Sequence, residues 1–244
     1  MKMVVFAGPS LHGVDHALLE DFDFRPPAGC GDILAAVMGG APAIGLIDGV
    51  FGHAPSVWHK EILHAIAEGI PVYGAAGIGA LRGAECAAFG MIGVGRIFAD
   101  YVSGRRVADA DVSVAYAPGE RGYAPLTVAM VDVEATVEMI RAHSMLSPGA
   151  CRALLRAAQR LHFEERTWPD IIFEAVLADG DAGVAQEAVN LHARSQKFED
   201  AVQMLSRMRE ETGSRLTAEA DFTFVESSFF SVLRRQMETN LAEG

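Results

Sequence analysis

Three segments of the sequence place glycine near polar side chains, each directly after a short apolar run. They span Gly8 to Ser10, Asp48 to Phe51 and Gly74 to Gly79. Glycine permits backbone conformations that are closed to other residues and lets a ligand approach backbone N–H groups closely. If the apolar runs are parallel strands, the segments meet at one edge of the sheet, where open α/β sheets bind ligands. We therefore expect an anion site there, with Gly8 and Gly49 among the substrate-binding residues.

The third segment leads into a predicted helix. Gly77, Gly79 and Ala80 stand at its start, where free N–H groups and the helix dipole favour negative charge. A carboxylate, a thiocarboxylate or a phosphate would suit this position. The alternative is that the glycines only make a tight turn from strand to helix. Their GxxGxG spacing is neither a P-loop nor the dinucleotide fingerprint, so it gives little support to a third interpretation, a nucleotide-binding protein, and no cofactor is expected.

Two charged residues, Arg82 and Glu85, lie three positions apart on the same predicted helix and can face each other. An exposed pair of this kind contributes about 0.2–0.5 kcal/mol. If Arg82 is instead buried beside the glycine turn, its planar guanidinium could hold two oxygens of a carboxylate or an oxyanion. A substrate bound there would also contact Glu85. The sequence leaves both interpretations open.

An imidazole, an amine and a carboxylate follow one another at His59, Lys60 and Glu61. Consecutive helical residues point about 100° apart, so the three side chains cannot share one site. His59 is the best candidate for a general base because imidazole titrates near neutral pH. Lys60 is a candidate for substrate binding. The alternative for His59 is a purely structural role.

No metal site is expected. His12 and His16 are spaced to share one face of a helix, as in some zinc sites, but a third ligand is not evident. Cys30, Cys86 and Cys151 are too far apart to suggest a metal knuckle or a disulfide framework. This use of cysteine is typical of a reducing cytoplasm.

Composition argues against several classes of function. The 244 residues carry 20 basic and 32 acidic side chains, a net charge of -12, whereas proteins that bind nucleic acid through its phosphates need a basic face. The longest stretch without charge, Ile33 to Ile47, contains glycine and proline and falls short of the roughly 20 residues that cross a bilayer. The apolar run after Lys2 is too short for a secretory signal. We expect no nucleic acid, no membrane and a cytoplasmic location.

Short apolar runs predict the elements that position these residues. Met3 to Ala7, Ala43 to Ile47 and Pro71 to Tyr73 are typical of strands buried on both faces of a parallel sheet. Val112 to Tyr116 is predicted as a fourth strand, and Met91 to Val94 only as a packing segment. Alternating helices are predicted over Leu11 to Leu19, Asp32 to Met38, Ser56 to Glu68 and Gly79 to Phe89. This alternation predicts a doubly wound, mostly parallel α/β sheet of the Rossmann or flavodoxin type.

Glycine and proline become scarce beyond residue 130, and helical periodicity dominates there. The predicted helices span about 133–143, 148–162, 168–177, 184–209 with a break, and 224–240. We therefore expect an α/β core domain over residues 1–130 and an all-helical C-terminal domain over residues 131–244.

Five motifs of the first domain carry a resemblance to a known family. They are GPSL at Gly8 to Leu11, IDGVF at Ile47 to Phe51, WHKEIL at Trp58 to Leu63, GALRGAE at Gly79 to Glu85 and GMIGVGRIF at Gly90 to Phe98. In this order, over about residues 3–130, they resemble the core domain of TfuA-like proteins. The helical remainder carries no such motif.

The resemblance implies an accessory protein for ribosomally made peptides in which sulfur replaces a backbone amide oxygen. Such a protein works beside an ATP-dependent YcaO enzyme. It is implied to hydrolyse the thiocarboxylated C-terminus of a small ThiS-like sulfur carrier and to pass the sulfide to the YcaO partner. The precursor peptide is a further candidate partner, and no cofactor is implied. The competing interpretation is a protein that docks on the YcaO enzyme and activates it without hydrolysis.

One departure from the family bears on the mechanism. Many members carry serine in the turn before GALR, in an arrangement like a nucleophile elbow, whereas this chain has Ala76 and Gly77 there. The remaining candidates are Ser10 as the nucleophile, or a water molecule activated by His59 or Asp48. The oxyanion would then be held by the amides from Gly77 to Ala80 and by Arg82.

Overall fold

The structure is a computed structural model that describes residues 2–52, 54–178, 180–211 and 221–243. Its core is a five-stranded, all-parallel sheet in the order β2-β1-β3-β4-β5. The strands are β1 Met3–Phe6, β2 Phe22–Arg25, β3 Ile44–Leu46, β4 Val72–Gly74 and β5 Ile92–Gly93. The first four helices are α1 Asp32–Met38, α2 His59–Ala67, α3 Ile78–Cys86 and α4 Arg96–Val102. The predicted α/β class with a parallel sheet is confirmed.

The strand order sets the position of the site. β1 lies between β2 and β3, so the chain first moves to one side of β1 and then crosses to the other. A ligand crevice opens at such a switch point, outside the carboxyl ends of the strands. Gly8 and Ser10 follow β1, and Asp48 follows β3. All three residues therefore lie at the switch point.

Helices α1, α2 and α3 pack on one face of the sheet, as right-handed crossovers require. Ile33, Ile62 and Ile78 come from these helices and share one buried cluster with Phe6 and Leu46 of the sheet. Full burial of each such side chain contributes about 1.5–3 kcal/mol. This cluster holds the helices that surround the candidate site.

The opposite face is covered by α9 Gln196–Glu211, a helix from the C-terminal part of the chain. Met204 and Met208 pack on Gly45 of β3, where a Cβ atom would lie 2.9 Å from both side chains. Asp200 of the same helix accepts hydrogen bonds from the N–H groups of Arg96 and Ile97 and so caps α4. Helix α9 is therefore an integral layer of the α/β fold.

The predicted helix from Leu11 to Leu19 is wrong. The chain forms two 3₁₀ turns there, Pro9–Leu11 and His16–Leu18. Gly13 between them has a φ of 77°, which a right-handed helix does not accommodate. The chain then enters β2 at Phe22, and α9 covers the face that this helix would have covered.

Two other predictions of local structure are also wrong. The segment from Val112 to Tyr116 is not a strand of the sheet but pairs locally with residues 124–127, where Leu126 N–H donates to the Ala115 carbonyl at 2.8 Å. Its backbone groups are hydrogen-bonded to a neighbouring segment of the chain instead of to the sheet. Conversely, Ile92–Gly93 forms β5 and α4 follows it, where only a packing segment was predicted.

The remaining helices are α5 Met130–Ala142, α6 Pro148–Arg160, α7 Trp168–Glu174, α8 Asp181–His192 and α10 Ser228–Glu243. Helices α5 to α8 share a core of their own, and α10 packs on α1 through Leu34, Phe230 and Leu233. The helical C-terminal region is confirmed. The boundary near residue 130 stays a prediction, and both α9 and α10 pack across it. Among the described residues, no helix has the length and apolar character needed to cross a membrane.

Candidate functional site

A cavity of about 320 Å³ opens at the switch point of the sheet, and we call it the first cavity. Its wall is mostly apolar, and its polar groups come from distant parts of the chain. It is lined by Pro9, Asp48, Gly49, Val50, Phe51, Ala54, Gly77, Ile78, Val112, Ser113, Val114, Ala115, Tyr116, Phe163, Glu164 and Lys197. An apolar cleft with a few convergent polar groups is typical of a ligand site.

Asp48 joins the end of β1 to the end of β3. Its Oδ2 accepts hydrogen bonds from the N–H groups of Gly8 at 3.0 Å and Ser10 at 2.9 Å. Its Oδ1 accepts a hydrogen bond from the Ser10 hydroxyl at 2.7 Å. Hydrogen bonds to a buried carboxylate are short and strong because the surroundings screen charge poorly. Asp48 therefore fixes the orientation of the Ser10 hydroxyl.

A cation from α9 faces this carboxylate. The Nζ of Lys197 lies 3.5 Å from Oδ1 of Asp48 and donates a hydrogen bond to the carbonyl oxygen of Val112 at 2.8 Å. Both charged side chains are only 4% exposed, so they form a buried ion pair. Sequence reasoning missed Lys197 because it lies far from Asp48 along the chain and in a helix whose polar positions gave no functional signal.

Ser10 borders a second cavity of about 340 Å³. Pro9, Val114 and Lys197 line both cavities, so the two spaces adjoin. Ser10 itself is buried and donates its hydroxyl proton to Asp48, which lines the first cavity. Lys197 thus lines both cavities, whereas Ser10 lines the second cavity and reaches the first through its hydrogen bond to Asp48.

Aromatic side chains shape the first cavity. Phe51 and Phe163 are in edge-to-face contact, with ring centroids 5.6 Å apart. Burial raises the pKa of Tyr116, and the nearby charge of Asp48 raises it further. The Tyr116 phenol therefore stays protonated at neutral pH and can donate a hydrogen bond to a ligand. Phe51 belongs to a segment that stood out in the sequence, whereas Tyr116 and Phe163 were not predicted as site residues, since aromatic residues in apolar surroundings are usually core residues.

The glycines before α3 allow close packing rather than anion binding. The N–H groups of Gly77 and Gly79 both donate to the Ile47 carbonyl, at 3.1 and 3.2 Å, and the N–H of Ala80 donates to the Gly77 carbonyl at 3.1 Å. These three amides are therefore not free to hold an oxyanion. A Cβ atom at Gly77 would lie 2.7 Å from Oδ1 of Asp48. Only glycine fits beside this carboxylate.

Gly8 and Gly49 are similarly confined. A Cβ atom at Gly8 would lie 2.6 Å from Cγ of Pro27, and one at Gly49 would lie 2.8 Å from the carbonyl oxygen of Ala28. Gly8 holds Asp48 through its N–H group, while Gly49 lines the first cavity. Both expected substrate-binding glycines thus lie at the candidate site.

The turn between β4 and α3 resembles a nucleophile elbow that has no nucleophile. Ala76 has a φ of 63°, a conformation uncommon outside glycine. The strand–turn–helix context matches that of an elbow, but the side chain at this position is a buried methyl group and the next residue is Gly77. The elbow therefore offers no hydroxyl. Two hydroxyls at the cavities are bound to carboxylates, that of Ser10 to Asp48 at 2.7 Å and that of Ser195 to Asp132 at 3.2 Å, and the Ser10 contact is the shorter.

His59, Arg82 and Glu85 form a separate polar cluster. Oε2 of Glu85 lies 2.8 Å from Nε2 of His59 and 2.6 Å from Nη1 of Arg82. Nε of Arg82 donates to the Val57 carbonyl at 3.1 Å. Of the described residues that line the two cavities, none belongs to this cluster. The structure thus brings Ser10 and Asp48 together but does not bring His59 or Arg82 to them.

Lys60 and Glu61 have partners outside the cavities. Nζ of Lys60 donates to the Val225 carbonyl at 2.6 Å and lies 4.9 Å from the ring centroid of Phe224. Glu61 is fully buried and accepts a hydrogen bond from the Gly31 N–H at 2.9 Å. Burial raises the pKa of Glu61, whereas these backbone hydrogen bonds oppose the shift. Lys60 fastens the segment before α10, and Glu61 links α1 to α2.

Within the described ranges, no group of three or more His, Cys, Asp or Glu side chains is arranged to hold a metal ion. The side chain of His16 lies outside the described residues, so the spacing of His12 and His16 stays untested. Burial raises the pKa of the Cys30 and Cys86 thiols to about 11. Both thiols are therefore protonated at neutral pH and are poor nucleophiles.

Asp132 anchors the start of α9 next to Lys197. It accepts hydrogen bonds from the Lys197 N–H at 3.1 Å and from the Ser195 hydroxyl at 3.2 Å. Burial raises the pKa of Asp132 to about 6, although the charge of Lys197 opposes the shift. The folded protein therefore binds this proton more tightly than the unfolded chain does.

We expect the wild-type protein to lose stability relative to Asp132→Asn as the pH rises from about 4 to about 7. The proton-linked contribution is complete below the ordinary pKa of an aspartate and is lost as the pH passes about 6. Over this pH range the free energy of unfolding of the wild type should fall by on the order of 1–3 kcal/mol relative to that of the variant. Urea unfolding at several pH values measures this shift, with the exposed Asp23→Asn as control. A difference that stays constant over this range would contradict the expectation.

Residues 48–167 match the sequence model of a family described as TfuA-like protein. The match begins at Asp48 and includes the segments of the first cavity from Gly49 to Glu164. It leaves out Ser10 and Lys197, which complete the site from β1 and α9. No curated protein matches the chain significantly. The family resemblance recognised in the sequence is confirmed.

Proposed function

We propose, from the premise that this chain is a TfuA-like protein, that it hydrolyses the thiocarboxylated C-terminus of a small ThiS-like carrier. The released sulfide would pass to a YcaO enzyme that thioamidates a ribosomally made precursor peptide. The reaction needs no cofactor and takes place in the cytoplasm. The observation that carries this proposal is the hydrogen bond between Ser10 and Asp48 at the switch point of the sheet.

The chemistry follows from the position of the hydroxyl proton. The Oγ of Ser10 attacks the carbonyl carbon of the thiocarboxylate while its proton moves to Asp48, the acceptor 2.7 Å away. The C–S bond then breaks, and the sulfur takes this proton and leaves as hydrosulfide. Water hydrolyses the resulting ester, giving its proton to Asp48, which returns it to Ser10. The second proton of the water passes to the solvent, so the products are a carrier carboxylate, hydrosulfide, one proton and the unchanged protein.

The cavity wall supports the binding of an extended chain end. Five consecutive residues, Val112 to Tyr116, line one side, while Val50 and Phe51 line another. A diglycine tail has no side chains and can pass between apolar walls of this kind. The Tyr116 phenol offers a hydrogen-bond donor to its carbonyl groups. In this mechanism His59 and Arg82 take no chemical step, because both side chains are bound to Glu85.

We expect Ser10→Ala to lower sulfide release from a thiocarboxylated carrier by about 10²–10⁴-fold, because the nucleophile is removed. The measurement is sulfide production by the purified chain incubated with the carrier. The matched control is Ser206→Ala, which removes an exposed hydroxyl that donates to the Val202 carbonyl within α9 and should retain the wild-type rate. If the wild type releases sulfide and Ser10→Ala releases it at the same rate, Ser10 is not the nucleophile.

A second function is favoured by the methyl group of Ala76 at the elbow turn. If the elbow serine is the nucleophile of the family, this chain would dock on the YcaO enzyme and activate it without hydrolysis. The wild type would then release no sulfide above the buffer rate. It would instead co-elute with the YcaO enzyme and stimulate thioamide formation from free sulfide. The same purified chain tested in both assays decides between the two functions.

A further inference from the structure

We infer that Lys197 binds the anionic end of the ligand and that the C-terminal helix α9 therefore completes the site. This inference rests on the proposed function, since it assumes that a chain end bearing a carboxylate or thiocarboxylate enters the first cavity. Helix α9 lies outside the residues matched by the family model.

The ammonium group of Lys197 has more hydrogen-bond donors than acceptors near it. It carries three N–H donors. One of them is donated to the Val112 carbonyl at 2.8 Å, and Oδ1 of Asp48 lies 3.5 Å away. No third acceptor is found among the described residues. Because the side chain lines both cavities, the third donor is available to a ligand at their junction.

Asp48 also balances the positive charge of Lys197 only weakly. Asp48 already accepts three shorter hydrogen bonds, from the N–H groups of Gly8 and Ser10 and from the Ser10 hydroxyl. The 3.5 Å separation from Lys197 is longer than a normal charge-assisted hydrogen bond. Lys197 is the sole basic residue among the described residues that line the first cavity. Among these residues, Lys197 is therefore the cation that an anion in the first cavity would contact.

The role of Lys197 grows during the proposed reaction. When Asp48 takes the proton of Ser10, the carboxyl group becomes neutral and no longer offsets the charge of Lys197. At the same moment negative charge develops on the oxygen and sulfur of the attacked group. The ammonium would then stabilise this charge more strongly than it stabilises the bound substrate, which is how electrostatic groups accelerate a reaction.

This arrangement makes an unusual prediction for Asp48→Asn. The amide removes the carboxylate charge, so Lys197 should bind an added anion more tightly than in the wild type. The probes are a peptide ending in Gly-Gly with a free carboxylate and the same peptide with a C-terminal amide, titrated by calorimetry. We expect a several-fold preference for the carboxylate in the wild type and at least a tenfold larger preference in Asp48→Asn. A purely structural Asp48–Lys197 pair would not produce this gain.

Lys197→Met should abolish the preference for the carboxylate while retaining binding of the amide peptide. Since this variant leaves Asp48 buried without its cation, Asp48→Asn/Lys197→Met provides a neutral pair that keeps the fold testable, and it too should show no preference. Lys197→Arg keeps the positive charge and should therefore retain part of the preference for the carboxylate. Arg194→Met is the matched control, because Arg194 lines the second cavity but is about half exposed and paired with Glu199.

The outcomes separate the two levels of inference. A carboxylate preference that survives in both Lys197→Met and the neutral double variant would overturn the role of Lys197 and leave the proposed function standing. If neither peptide binds to the folded wild type, the first cavity is not a peptide site and both conclusions fail. A preference lost in Arg194→Met but kept in Lys197→Met would assign the anion to the second cavity and overturn the inference.

Discussion

Asp48→Ala is expected to lower the free energy of unfolding by about 3–5 kcal/mol. The change leaves Lys197 buried, 4% exposed, without its ion-pair partner, and only the charge of Asp132 remains near it. It also removes the acceptor of three hydrogen bonds that join the end of β1 to the end of β3. An unpaired buried charge and several unsatisfied donors act in the same direction. Urea unfolding followed by circular dichroism at neutral pH measures the loss.

Asp23→Ala is the matched control for this experiment. Asp23 also pairs with a cation, Arg25, at 2.9 Å, but the two side chains are 48% and 33% exposed. Such a pair contributes about 0–1 kcal/mol, so its removal should have little effect. Similar losses in the two variants would show that the Asp48–Lys197 pair is no more important than a surface ion pair. A neutral Asp48→Asn/Lys197→Met pair should recover part of the stability lost in Asp48→Ala.

The sheet and the edge that carries the candidate site could be predicted because their signals are local. Three of the five strands lie within apolar runs that are bounded by glycine or proline, and α1 was predicted with its observed bounds. Ser10 and Asp48 each follow such a run, so the parallel topology alone was enough to place them at one edge. The strand β2 was missed because Asp23 and Arg25 interrupt its apolar pattern, as is usual for an edge strand.

The partners of the site residues could not be predicted, since they depend on tertiary packing. Lys197 reaches Asp48 only because α9 lies across the face of the sheet left open by the absence of a helix between β1 and β2. His59 and Arg82 showed the right chemical types in the sequence. Their side chains nevertheless meet at Glu85, away from the cavities. The strand end that a residue follows therefore predicted its place at the cavities better than its chemical type did.

Gly79→Ala is expected to destabilise the protein by more than about 3 kcal/mol, enough to prevent folding at moderate temperature. A Cβ atom at Gly79 would overlap the carbonyl oxygen of Leu46, which belongs to the backbone of β3 and cannot rotate away. The N–H of Gly79 donates to the Ile47 carbonyl at 3.2 Å. Any outward shift of α3 would therefore break this contact and open the wall of the first cavity. Expression level and thermal unfolding measure the effect.

Gly183→Ala is the control that isolates the steric cause. Gly183 lies in α8, and apart from its own helix backbone and chain neighbours the described residues place no atom within 4 Å of the position where its Cβ would be. Alanine there should raise stability by about 0.5–1 kcal/mol, because glycine is a poor helix former. Opposite signs for the same substitution at two helical glycines would show that Gly79 is required for contact between α3 and β3. If Gly79→Ala folds normally, α3 does not approach β3 as closely as described, and the amides before it become available to a bound anion after all.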